Sequence, residues 1–133
     1  MTSGRRVALV LLGAVVLAGC KSKPQWQGRG DVLAIYTATT LTAEFPDEIP
    51  VPAVTAAAET ALRNRGYAVS SSESTRDRGR VEAKMPNPWV LERVIVMSRL
   101  SDLGTRVQIR IDPLGDEARA RAILDDMLVR LGY

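Results

Sequence analysis

The chain has 133 residues, enough for one domain of ordinary size. Its composition, 46% hydrophobic and 25% charged, is typical of a globular protein and excludes disorder along the whole length. The net charge of +3 is not concentrated in a basic run, so it gives no indication of nucleic-acid binding. Histidine is absent, which removes the commonest general base and metal ligand, and a single cysteine excludes an internal disulfide bond.

The first nineteen residues have the pattern of a secretion signal. Arg5 and Arg6 form a short basic region, and residues 7–17 follow it without a single polar side chain. This apolar run has the length of a signal-peptide core and is too short to span a membrane, which takes about twenty residues. We therefore predict that residues 1–19 are a cleaved signal peptide.

The segment Leu17, Ala18, Gly19 and Cys20 resembles a lipobox, the motif at which bacterial lipoproteins are cleaved and lipidated. The resemblance implies cleavage before Cys20 and acyl chains such as palmitate on that residue, which would anchor the protein to the cell envelope. Lys21 follows; under the sorting rule of enteric bacteria it favours the periplasmic face of the outer membrane. The alternatives are an ordinary signal peptide with a chance cysteine and an uncleaved amphiphilic helix.

The chain from Cys20 to residue 30 is polar and rich in glycine and proline, and it is predicted to be a flexible tether. The ten residues after Cys20 reach at most about 35 Å when fully extended. Trp26 within this segment has two interpretations. Its amphipathic ring could lie in the membrane interface, or it could pack against the domain.

Residues 31–45 are rich in β-forming side chains. From Thr37 onward, successive residues fall alternately on the two faces that a strand would have. This period of two predicts a single strand. Prolines at positions 46, 50 and 52 then interrupt the chain. The last of them suits the first turn of a helix.

Residues 52–65 predict a helix that ends before Gly66. Its apolar positions form one stripe at helical spacing: Val54, Ala57, Ala58, Ala61 and Leu62. Because this stripe is rich in alanine, we expect the helix to pack closely on its partner surface. Small side chains would equally leave room for an apolar ligand between helix and sheet.

Four further strand candidates follow, at residues 67–75, 80–85, 89–100 and 105–112. The second and the fourth alternate between apolar and polar side chains, as half-buried strands do. The third has apolar residues on both sides, so we expect it to be central in a sheet. A turn at residues 101–104 predicts a hairpin between the third and the fourth.

Residues 116–131 predict a second amphipathic helix, with Asp116 as its N-cap and Gly132 after its last turn. The order is thus strand, helix, four strands, helix. It predicts a single α+β domain over residues 31–133, with one antiparallel sheet of four to five strands and two helices packed on one face.

The other face of this sheet is predicted to be solvated and to carry four cations in alternation: Arg80, Lys84, Arg106 and Arg110. They form a candidate surface for an anionic partner, either lipid headgroups or an acidic protein patch. The alternative is that they only supply the charged outer face that a soluble sheet needs.

From Val54 onward the chain resembles a family of small uncharacterised bacterial lipoproteins. The similar segments are ALRNRGYAV (61–69), GRVEAKMP (79–86) and TRVQIRIDPLGDEARARAILDDML (105–128). The resemblance implies a fold but no activity, because no catalytic residues are established for these proteins. The strand order is also similar to that of the helix-grip domains of outer-membrane assembly lipoproteins, a likeness of fold alone.

Carboxylates and serines give little indication of catalysis. Asp125 and Asp126 are adjacent on a predicted helix and point about 100° apart, so they cannot share a proton or a metal ion. Asp112 and Asp116 flank a turn, and turn formation and helix capping are sufficient reasons for aspartate at these positions. The serines at 70–72 have no histidine base. We therefore expect no enzymatic activity, no cofactor and no metal site.

These observations predict an envelope lipoprotein that acts as a non-enzymatic interaction or accessory module. Its partners would be the membrane, through the lipid on Cys20, and another envelope protein, and it would not bind nucleic acid. The alternative is a carrier or sensor of a small apolar ligand or lipid.

Overall fold

The computed structural model describes residues 23–29 and 32–133. These residues form an α+β fold in which two helices cover one face of an antiparallel sheet. Its strands are β1 (Gln25–Gln27), β2 (Val32–Thr37), β3 (Thr40–Phe45), β4 (Ala68–Ser74), β5 (Arg78–Lys84), β6 (Arg93–Ser101) and β7 (Gly104–Asp112), and its helices are α1 (Val51–Asn64) and α2 (Glu117–Leu131). The strand order across the sheet is β1-β2-β3-β7-β6-β5-β4.

The sheet has seven strands, so the prediction of four to five strands is wrong. One reason is that the single strand predicted at residues 31–45 is a hairpin of β2 and β3. The chain turns at Ala38, which has a φ of 56°, a left-handed conformation that alanine rarely adopts. Neither Ala38 nor Thr39 is a typical turn residue, so the sequence pattern runs through the turn without a break.

The other reason is β1, which lies within the segment predicted to be a flexible tether. Gln25–Gln27 pair with β2 at the edge of the sheet. The Gln27 side chain is buried, and its Nε2 donates to the Asp125 carboxylate at 2.8 Å and to the Arg121 carbonyl at 3.1 Å. The flexible tether predicted for this segment therefore cannot include Gln25–Gln27. Trp26 points to the opposite face and is 67% exposed.

The core lies between the sheet and the two helices, and it is built by the alternation seen in the sequence. Val107, Ile109 and Ile111 of β7 are buried, while the residues between them are half-buried on the other face. The predicted alanine-rich stripe of α1 is buried as well. A Cβ atom placed on Gly79 would lie 2.3 Å from the Thr55 hydroxyl, so α1 packs closely on β5.

Strand β6 lies between β5 and β7, and its predicted central position is confirmed. It begins at Arg93 rather than at Trp89, because Trp89 and Leu91 lie in the preceding connection with 89% and 85% of their surface exposed. The strand predicted from the apolar pattern of this segment therefore begins four residues too early. Ile95 on the solvent side of β6 is fully buried.

The second predicted helix is confirmed as α2. The Asp116 carboxylate accepts a hydrogen bond from the Arg119 backbone N–H at 3.0 Å, and Gly132 ends the helix in the left-handed conformation. In the described part of the chain, neither helix has the length and hydropathy needed to cross a membrane.

Candidate functional site: the open face of the sheet

The face of the sheet that points away from the helices carries the polar side chains of the strands, and we call it the open face. Its side chains come from the alternate positions of each strand that do not enter the core. Strand register places these positions in rows that run across the sheet, so each row brings together residues distant in sequence.

All four cations predicted for an anionic partner lie on the open face, but three of them have a carboxylate partner. The Arg80 guanidinium lies 3.4 Å from Glu82, and that of Arg110 lies 3.2 Å from Asp112. Arg106 pairs with the Glu44 carboxylate. Among the described residues Lys84 forms no ion pair, and it is exposed. The four predicted cations therefore do not form one uncompensated basic patch.

A carboxylate–arginine network, formed by Glu82, Arg93, Arg110 and Asp112, occupies the end of the open face near the β5–β6 connection. Arg93 joins its two carboxylates, at 3.2 Å from Glu82 and 3.5 Å from Asp112. The two arginines balance the two carboxylates. Ile95 lies directly opposite Glu82 and Arg110 in the strand register, so this network covers it.

The other end of the open face, near the β6–β7 turn, has a different arrangement. Arg78, Arg99 and Arg106 lie directly opposite one another on β5, β6 and β7, and we call them the arginine row. Like charges in directly opposed positions destabilise a sheet, by roughly 0.2–1 kcal/mol for each pair. Among the described residues, Arg78 and Arg99 form no ion pair that would offset this repulsion.

A groove of about 430 Å³ lies beside the arginine row. Four arginines line it (Arg78, Arg80, Arg99 and Arg106) against one carboxylate, that of Glu73. A second cavity, of about 540 Å³, adjoins the row at the β6–β7 turn and is lined in addition by Asp77, Asp102 and Leu103. Guanidinium groups in this density form a surface suited to an anion.

The sequence prediction missed Arg78 and Arg99. Arg78 lies two residues before the start of the strand predicted at 80–85, and Arg99 lies in a strand that was treated as apolar. A usable signal existed in the turn predicted at 101–104. A two-residue hairpin loop at Asp102 and Leu103 fixes the register so that Arg99 faces Arg106.

The carboxylates and serines that the sequence analysis considered for catalysis and rejected have separate structural contacts. Asp125 accepts from Gln27, whereas Asp126 pairs with Arg65 from α1. Ser72 donates to Glu59, and Ser70 donates to a backbone carbonyl of β5 at 3.0 Å. In residues 23–29 and 32–133, no group of three or more acidic or cysteine side chains is placed to hold a metal ion.

The predicted lipobox, Leu17, Ala18, Gly19 and Cys20, lies outside the described residues. The nearest described element is β1, which begins five residues after Cys20. The lipid-attachment site thus remains a prediction from sequence.

A second polar cluster lies at the edge of the domain, where Arg119 contacts both Glu92 and the Tyr67 hydroxyl. Burial raises the pKa of Tyr67, and the hydrogen bond from Arg119 opposes that shift. The hydrogen bonds to Tyr67 and Glu92 raise the pKa of Arg119, although burial opposes them. Arg119 is therefore protonated throughout the physiological pH range, and its contacts hold Tyr67 and Glu92 together.

Comparison with known proteins identifies a family without a described activity. The family model "Protein of unknown function (DUF3568)" matches residues 6–128, so the chain belongs to this family. No curated protein is significantly similar to the chain. The match covers the whole of the sheet and most of α2, which agrees with the predicted membership of an uncharacterised family.

Proposed function

We propose that the protein is a lipid-anchored lipoprotein of the cell envelope, and that its domain is a non-enzymatic module whose open face binds an envelope component. The anchor is supported by the basic start, the apolar run and the lipobox-like segment ending at Cys20. The open face is supported by its charge distribution, since two arginines of one row lack carboxylate partners among the described residues.

The arginine row is the observation that carries the binding role. A sheet that needs charge only for solubility is served by alternating signs, as in the carboxylate–arginine network. The row instead opposes three guanidinium groups on adjacent strands. Such an arrangement lowers the stability of the free domain and is relieved when an anion binds.

A non-enzymatic role is supported by the contacts of the polar residues that a catalyst would use. Asp116 caps α2, and Asp112 belongs to the carboxylate–arginine network. Ser72 is hydrogen-bonded to a glutamate. Each of these groups has a structural partner among the described residues.

The alternative, a carrier of a small apolar ligand, has less support. It needs space between α1 and the sheet, but α1 approaches β5 too closely for even one added carbon at Gly79. The two cavities described above open on the other side of the sheet or at its edge. A lipid bound to the domain purified from its host, detected by native mass spectrometry, would favour this alternative.

The anchor is tested by labelling cells with palmitate and comparing the wild type with Cys20→Ala. We expect the wild type to incorporate the label and to fractionate with membranes, and the variant to do neither. A membrane-permeable crosslinker in the same cells should capture a recurrent envelope component with the anchored form alone. Equal membrane localisation of both forms without label would contradict the proposal.

A further inference from the structure

We propose that the arginine row binds the phosphate groups of anionic lipids, so that the open face docks on the membrane to which the protein is anchored. The inference rests on the proposed anchor at Cys20 and names the envelope component that the open face binds. The proposed ligand is a lipid surface, and the experiment distinguishes it from a soluble anion and from an acidic protein.

The arginine row is chemically complementary to phosphate groups. A guanidinium group presents a planar set of donors that matches the oxygens of a phosphate, and it remains charged at every physiological pH. Arg78 and Arg99 have these donors available, because no described carboxylate pairs with them. The groove of about 430 Å³ beside them is within the size range of sites for small polar groups.

The distance between the predicted anchor and the sheet is short. Strand β1 begins five positions after Cys20, and five extended residues span at most about 18 Å. Strand β7 lies three strands from β1 and β5 lies five, which places the arginine row about 14–24 Å from β1 along the sheet. A domain on this tether therefore stays within reach of the lipid surface, where anionic lipids attract basic groups.

An exposed apolar side chain beside the arginine row favours a lipid surface over an acidic protein. Leu103 lies at the tip of the β6–β7 turn, lines the cavity shared with the arginine row, and is 77% exposed. An exposed apolar tip among arginines suits the boundary between headgroups and acyl chains.

The test uses the chain of residues 21–133, which lacks the lipidated cysteine. Because the hydrophobic core lies between Val32 and Tyr133, this chain keeps the whole fold. Its binding is measured by co-sedimentation with vesicles of phosphatidylglycerol and phosphatidylcholine, and with vesicles of phosphatidylcholine alone. We expect binding to the anionic vesicles only, and weaker binding as salt is raised.

The decisive variant is Arg78→Gln/Arg99→Gln, and its matched control is Arg63→Gln/Arg130→Gln. The control removes the same charge from exposed arginines on the two helices, away from the open face. We expect the apparent affinity for anionic vesicles to fall about tenfold or more in the first variant and less than about twofold in the control. The thermal unfolding midpoints of both variants confirm that each remains folded.

Three results would overturn the inference. Equal loss of vesicle binding in the two double variants would show a general charge effect. Binding of inorganic phosphate without vesicle binding would assign the row to a soluble anion. Capture of a protein in cells that depends on Arg78 and Arg99 would assign the row to a protein surface. Since the chain tested carries no acyl group, its failure to bind vesicles leaves the palmitate test of Cys20 unaffected.

Discussion

The two ends of the open face contain the same residue type in opposite electrostatic settings. In the carboxylate–arginine network, each arginine contacts at least one carboxylate, and the charges cancel over a buried Ile95. In the arginine row, three guanidinium groups face one another, and only Arg106 has a carboxylate partner among the described residues. The first end stabilises the sheet, and the second leaves two arginines without a carboxylate partner among the described residues.

This difference shows that the presence of an arginine on a strand does not by itself define its electrostatic setting. Arginines lie at open-face positions of β6 and β7 at both ends, whereas β5 contributes Glu82 to the network and Arg78 to the row. Strand register decides whether an arginine meets a carboxylate or another arginine. The comparison is therefore open to tests that affect one end and spare the other.

The largest effect is expected at Ile95, which lies beneath the carboxylate–arginine network. Ile95→Ala removes a fully buried side chain and should lower the free energy of unfolding by about 2–5 kcal/mol. Met97 lies two residues further along β6, in the wall of the groove, and is only half-buried. Met97→Ala should therefore lower the free energy of unfolding by less than half as much.

Urea denaturation of the two variants and the wild type measures these changes in the free energy of unfolding. Both residues lie on β6 and on the same face of the sheet, so the comparison contrasts the two ends of the open face. Equal losses for Ile95→Ala and Met97→Ala would contradict this prediction. They would mean that the network does not bury the side chain beneath it more effectively than the arginine row does.

Much of the fold was predictable because burial leaves a period in the sequence. The core positions of β7 and α2, and the cap at Asp116, follow from alternation and helical spacing. The hairpin within residues 31–45 was not predictable in the same way, since Ala38 and Thr39 turn the chain without glycine, proline, asparagine or aspartate. Strand β1 was missed because Gln27 is buried through polar contacts with α2 and not through apolar ones.

The candidate site was predictable only in part. Alternation places Arg80 and Arg106 on the correct face, but it does not identify their partners. The partner of a charged side chain in a sheet lies on another strand, often far away in sequence: Glu44 and Arg106 are 62 positions apart. Only the short β6–β7 turn gave local information, and it would have paired Arg99 with Arg106.

A smaller effect, but one of opposite sign at the two ends, is expected from neutralising single arginines. Arg93→Gln removes two carboxylate contacts from a side chain that is 40% exposed, so it should lower the free energy of unfolding by roughly 0.5–1 kcal/mol. Arg99→Gln removes repulsion from both neighbours in the row and should raise that free energy by about 0.2–1 kcal/mol.

Urea denaturation at low and high salt checks both signs. Salt screens repulsion and attraction alike, so the two variants should converge toward the wild type as salt is added. If Arg99→Gln lowers the free energy of unfolding, as Arg93→Gln does, then Arg99 has a stabilising contact and the contrast between the two ends is lost.

The smallest effect concerns the Tyr67–Arg119–Glu92 cluster, where arginine and carboxylate are again in direct contact. Burial is the main cause that raises the pKa of Tyr67 above its ordinary value of about 10. The folded state therefore holds this proton more tightly than the unfolded state does. The corresponding stability is complete below about pH 10 and is lost as the pH rises through the raised pKa of the folded state.

Unfolding by urea at pH 8 and above pH 10 measures this loss in the wild type and in Tyr67→Phe. We expect the variant to lose less stability over this interval, because its phenyl ring has no proton to release. The pKa of Tyr133 is also raised, by burial and by its contact with Asp47. Tyr133 therefore accounts for part of the pH-dependent loss of stability that remains in Tyr67→Phe, and Tyr133→Phe serves as the matched variant. An unchanged pH dependence in Tyr67→Phe would mean that Arg119 stabilises the ionised phenol as strongly as burial disfavours it.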